Sequence, residues 1–129
     1  MRFMMFMYPE IDEKDWEPSV EAVDAMTRYN DELRQAGMVL AMDGLRPPSD
    51  GGTVRFAADG EATVTDGPFS EAKEVIGGYW LIQARSKEEA LEWASRCPAR
   101  GCSIEVRRVA EMEDFSEEIR DVVEANEGS

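Results

Sequence analysis

The chain has 129 residues, 43% of them hydrophobic and 33% charged, a composition that fits one domain with one modest core. Its 28 acidic residues outnumber 14 basic ones for a net charge of -14, which argues against nucleic acid and against anionic membranes as partners, because both are bound by basic surfaces. There is no histidine, so Ser-His-acid catalysis and any His-containing metal site are ruled out.

Residues 3–8 are continuously apolar and read as a central strand buried on both faces. Met4, Met5 and Met7 within it either fill core or line a soft, adaptable cavity. The run is too short for a signal peptide, and Pro9 with acidic residues follows at once, so a cytoplasmic chain without a membrane span is expected. Pro18 and Ser19 open a helix, with Ser19 as its cap. Ala22, Met26, Tyr29, Leu33 and Ala36 recur at intervals of three or four along it, and Gly37 closes it. Tyr29 is expected against the sheet, its hydroxyl either at the core edge or reaching a pocket between helix and sheet. Residues 38–42 form a short strand, followed by a turn-like Asp43-Gly44 and an extended Leu45-Arg46 that runs into two prolines. Arg46 either clamps a carboxylate with two parallel bonds or pairs on the surface with Asp43 or Glu74.

Residues 53–56 and 62–65 alternate as the strands of a hairpin with Asp59-Gly60 in its turn. The chain then meets Asp66-Gly67-Pro68, a reversal in which glycine permits positive φ and proline fixes its own. Polar or small residues 70–74 follow. The stretch is either a long surface connection or a loop that presents carboxylates and Lys73 at the mouth of a pocket. Asp66 correspondingly either caps its own turn or acts as a base. Gly77-Gly78 is no phosphate loop, since it precedes a strand; it suits a bulge or a close backbone approach. In the strand 79–84, Trp80 and Ile82 share one face while Tyr79, Leu81 and Gln83 share the other.

Ser86 and Glu89 make a capping box for a second helix with Ala90, Leu91, Trp93 and Ala94 as its apolar face, and Pro98 limits it. Cys97 and Cys102 lack metal-site spacing and read either as reduced thiols at a helix end and a strand start or as a disulfide or redox pair. Residues 103–109 alternate cleanly and fit an edge or interface strand. Residues 1–112 therefore form the domain. Residues 113–129 form an acidic extension: a short helix on Phe115, Ile119, Val122 and Val123, then disorder from about Asn126.

Asp66-Gly67-Pro68-Phe69 followed by Glu71, Lys73-Glu74, Gly77-Gly78 and Tyr79 resembles the signature of the DGPF proteins, a branch of the YCII-related family. The opening strand, Gly44-Leu45-Arg46-Pro47-Pro48, the helix around Glu89 to Ala94 and the last strand resemble that family in order, over about residues 2–109. The resemblance implies an α+β chain with a ferredoxin-like split β-α-β arrangement and an inserted hairpin, its sheets pairing into a dimeric α+β barrel. Chain order agrees. Two helices cover one face of a single antiparallel sheet, and the other face asks for a second copy. In other YCII-related proteins a histidine and an aspartate are proposed to react; that histidine has no counterpart here.

Two functional readings follow. In the first the chain is an enzyme of lyase or isomerase type acting on a small organic acid or phenolic compound. Asp66 is its base, Arg46 holds an anionic oxygen, Glu74 assists, and Lys73, Tyr79, Tyr29 and Tyr8 approach the ligand. In the second it is a non-catalytic module, a small-ligand sensor or dimeric partner protein; similar proteins often accompany regulators of transcription initiation. The partners expected are a second copy through the sheet face and a small anionic or partly apolar molecule. No metal and no organic cofactor is expected.

Overall fold

Local chemistry sets the ends of the elements in this structure, a computed structural model that describes residues 1–67 and 74–127. In chain order these are β1 (Arg2–Tyr8), α1 (Val20–Gln35), β2 (Val39–Gly44), β3 (Gly52–Phe56), β4 (Ala62–Asp66), β5 (Gly78–Gln83), α2 (Lys87–Ser95), β6 (Ser103–Arg108) and α3 (Glu117–Glu127). The reversal at Pro68, together with Phe69, Glu71 and Lys73, lies outside the described residues, as do residues 128–129 of the tail.

Ser19 Oγ accepts the N–H of Ala22 at 3.1 Å and caps α1. At the other end Gly37 takes φ of 73°, its N–H donates to Arg34 O, and Met38 N–H donates to Leu33 O. These are the two bonds of a glycine-terminated helix end, and Met38 is buried beside Leu33 in the core. Ser86 Oγ accepts from Glu89 N–H at 3.1 Å to start α2, while Glu89 reaches back to the N–H of Arg85.

Four strands make one antiparallel sheet in the order β2-β5-β1-β6, and β3 with β4 make a separate hairpin. The fold is α+β. Helix α1 carries the chain from β1 to β2 past β5, and α2 carries it from β5 to β6 past β1. The core lies on the face that both helices cover. Phe3 and Met5 of β1, Trp80 and Ile82 of β5, Tyr29 and Leu33 of α1 and Ala90 of α2 are sealed there. The rings of Tyr29 and Trp80 meet edge to face at 6.0 Å.

Strand β1 is central, but it is not buried on both faces as its apolar run suggests. Met4, Phe6 and Tyr8 alternate onto the face that α1 and α2 do not cover, and they are only half-buried, as are Tyr79 and Leu81 beside them. Asp43-Gly44 is not a turn either. It extends β2, with Gly44 opposite Gly78, and the ladder continues as Leu45 N–H donates to Gly77 O at 2.9 Å. Leu91 stands off the buried face of α2, at 47% exposure. Helix α3 includes Asn126 and Glu127.

Two ion pairs tie the segment after β6 to the sheet. Arg2 grips Glu111 with bonds of 2.7 and 3.1 Å, and Arg108 grips Asp114 through both guanidinium nitrogens. The Arg108 bonds and then the backbone N–H of Glu111 hold the Asp114 carboxyl down at about 2, below the ordinary aspartate value. A carboxyl depressed in the folded state stabilises above its unfolded value and loses that contribution as pH falls through the folded one. Asp114→Asn should therefore melt below the parent at about pH 6, and the gap should close between about pH 4 and pH 2. A gap in thermal midpoint that is unchanged across that range would show that this pair carries no such linkage.

Candidate functional site

The apolar stripe of α1 seats the helix unevenly. Tyr29 and Leu33, toward its C-terminal end, are almost fully buried, whereas Val20 in its first turn is 82% exposed and Val23 is 48% exposed. Trp80 Nε1–H donates to Asn30 Oδ1 at 2.8 Å, and Tyr29 O–H donates to Trp93 O at 2.6 Å, so the seated half is tied to β5 and to α2.

Beneath the other half, and on along the helix as far as Arg34, lies a cleft of about 570 Å³ between α1 and the β2 edge of the sheet. Its walls are mainly the methionine side chains of Met7, Met26 and Met42. Gly44 and Gly78 pair across β2 and β5 on the helix-facing side and bring no side chain to its floor. A Cβ on Gly78 would press on Asp43 O at 3.1 Å, while one on Gly44 would meet nothing within 4 Å. The floor is therefore open space at Gly44 and close backbone packing at Gly78. Thr27, Asn30 and Arg34 supply the polar margin along α1. The volume sits in the range of small-molecule sites, and mostly apolar walls with a few polar groups are their usual lining.

The residues proposed from sequence fall into several places. Tyr79 borders this cleft next to Gly78, but its side chain alternates onto the uncovered sheet face, where its hydroxyl donates to Asp43 Oδ2 at 2.9 Å, which raises the phenol above its ordinary value. Tyr29 is sealed in the core, where burial pushes its phenol well up. Tyr8 and Glu74 share a second cleft of about 420 Å³ with Trp16. Desolvation first, then its hydrogen bond to Glu105 at 3.0 Å, raises the Tyr8 phenol. Glu74 also lines a third, open cleft of about 700 Å³ with Arg46 and Gly67. Arg46 pairs with Asp50 at 2.8 Å and its side chain is 79% exposed. The Pro47–Asp50 turn brings Asp50 to it, four residues on, in place of the expected Asp43 or Glu74.

Asp66 ends β4 opposite Gly52 and is exposed; Gly67 then takes φ of 75° and donates its N–H to Gly51 O at 2.8 Å. Among the described residues Asp66 lines none of the three clefts. Lys73 lies outside the described residues. The structure thus brings Glu74 to Arg46 on one side and to Tyr8 on the other, and leaves Tyr79 and Tyr29 apart from both. Among the described residues no three acidic or cysteine side chains gather to hold a metal ion. No described helix is long and apolar enough to cross a membrane. Cys97 and Cys102 are both free thiols, and burial pushes Cys97 up to about 11.

Asn30 and Arg34 at the first cleft were not singled out from sequence. The usable signal was polar spacing: Thr27, Asn30 and Arg34 recur at three and four beside the apolar stripe.

The pattern that defines the YCII-related domain matches residues 1–113. The chain is also 40% identical over 80 residues to an uncharacterized protein of Rhizobium meliloti (strain 1021), a match that covers 59% of this chain and 63% of that protein. The chain thus spans less than two thirds of that relative's length.

Gly44→Leu places a side chain in the open floor without a backbone clash. The variant should keep its thermal midpoint within a few degrees of the parent while losing most of the fluorescence enhancement of an apolar dye. Equal dye binding by both proteins would show that the cleft does not take apolar molecules.

Proposed function

Because the chain belongs to the YCII-related family, we propose that it is a homodimeric small-molecule-binding protein that takes a small, partly apolar organic compound in the cleft between α1 and β2. The cleft with its bare glycine floor carries this reading: two strands keep side chains off the one stretch of sheet from which α1 stands away. Within the family we assign the chain to the DGPF branch, on Asp66-Gly67-Pro68-Phe69 and the Gly77-Gly78-Tyr79 that follows. Its frame is ferredoxin-like, a split β-α-β arrangement with β3 and β4 as the inserted hairpin, and the order β2-β5-β1-β6 supports that assignment.

The second copy pairs through the uncovered sheet face to make a dimeric α+β barrel. Support comes from the half-buried Met4, Phe6 and Leu81 at the middle of that face, with Glu105, Arg107 and Asp43 toward its two edges. An apolar centre within a polar rim is how stable protein interfaces are built. Light scattering should give a dimer for the parent at micromolar concentration and a folded monomer for Leu81→Asp. A parent that scatters as a monomer would remove the barrel from this reading.

A second reading is favoured by one observation: Arg46 and Glu74 line the same open cleft, beside the Gly67 that follows Asp66. In it the chain is a lyase- or isomerase-type enzyme acting on a small organic acid or phenolic compound, with Asp66 as base and Arg46 holding an anionic oxygen. With any substrate that is turned over, Asp66→Ala should abolish turnover while the dimer persists, and Arg46→Ala should weaken acids more than neutral analogues. Turnover that survives Asp66→Ala would remove the enzyme reading in this form.

A further inference from the structure

The cleft under α1 has two chemically different ends. Strand β2 starts only four residues after α1 ends and runs back along it, so Gly44 lies toward the start of the helix and Val39 toward its finish. Met42 pairs with Trp80, and Trp80 reaches Asn30, which places Asn30 midway along the cleft; Arg34 comes one turn further on. The glycine end is bare and apolar, bounded by Pro18, Ala22 and Val23. The other end is a donor end. Asn30 uses its oxygen to accept from the Trp80 indole, which leaves its amide N–H groups at the cleft. Thr27 spends its hydroxyl proton on Val23 O at 2.8 Å.

Arg34 supplies a full positive charge at that end. One guanidinium nitrogen pairs with Asp31 at 3.0 Å, and both partners are more than half exposed, so the pair is weak and easily shared. The remaining guanidinium N–H groups are available to a ligand, in the planar fork that suits a carboxylate. Asp43 borders the opposite end but turns its carboxylate to the uncovered sheet face, where Tyr79 holds it. A net charge of -14 repels anions in general, so selection of an anion needs a local cation placed like this one.

On the reading that this cleft is the binding site, we propose that its ligand is an elongated organic carboxylate. The acid group lies against Arg34 and the Asn30 amide, the apolar body against Met7, Met26 and Met42, and the far end over Gly44 and Gly78. Arg34 is the anion anchor of the protein and Arg46, which does not line this cleft, is not.

The test uses the intact chain and a series of ω-phenylalkanoates from phenylacetate to phenylhexanoate, each compared with its primary amide by titration calorimetry. The acids should bind about tenfold or more tightly than the matched amides. Arg34→Gln should erase that preference while leaving amide affinity in place, and Arg46→Gln should leave both unchanged. Acid and amide that bind equally to the parent, both weakened by Gly44→Leu, would overturn the carboxylate assignment while the cleft stands as the binding site. A series in which nothing binds would overturn the assignment and the cleft reading together.

Discussion

The uneven seating of α1 sets the rest of the structure. Tyr29 and Leu33 lock the C-terminal half of the helix into the core, with bonds from Trp80 to Asn30 and from Tyr29 to Trp93 O on either side. A part-buried hydrogen bond of this kind is modest in net worth but costly to leave half made, so it fixes position more than it adds stability. Toward the N-terminus the same stripe meets Gly44 and Gly78 in place of side chains, and the helix has little to pack on. Interiors are close-packed, so a gap lined by methionine and glycine is a feature of this helix-sheet pairing and not slack spread through the core.

The second constraint is that a sheet has two faces and the chain has two helices to cover them. Both go to one side, because the two crossovers leave antiparallel strands in opposite directions across the sheet, and right-handed connections then put both helices on the same face. The opposite face keeps Met4, Phe6 and Leu81 half in water. The β3-β4 hairpin adds Val54, Phe56 and Val64 on one of its own sides, with Phe56 70% and Val64 71% exposed. Two-stranded hairpins are marginal alone, and apolar surface of this kind marks places of association. The pairing of sheet faces proposed above puts the larger of these surfaces to use.

Sequence reading reached the parts of the fold that local chemistry decides. Ser19, Gly37 and Ser86 each mark a helix end because capping depends on neighbours three or four residues away. The strand alternations of residues 79–84 and 103–109 were legible for the same reason. What escaped was set across the sheet. Gly44 reads as half of a turn in Asp43-Gly44 until β2 is laid beside β5, where it becomes the floor of a cleft. The apolar run of β1 suggests burial on both faces, but whether a second cover exists is decided by helix placement, far from the strand itself. Arg46 has acidic residues at several spacings, and only the turn at Pro48 selects Asp50. Asp66 and Lys73 were singled out by motif; the cleft beside α1 draws instead on Asn30 and Arg34.

The function proposed for this cleft requires that a ligand enter under the raised end of α1. The eight methionines make a ready set of probes: Met7, Met26 and Met42 line the cleft, Met4 lies on the uncovered sheet face, and Met112 follows β6. Titration of the methyl-labelled protein with phenylbutyrate, followed by methyl NMR, should move the resonances of Met7, Met26 and Met42 and leave Met4 and Met112 in place. Saturating shifts at Met4 with the three cleft methyls unmoved would contradict it.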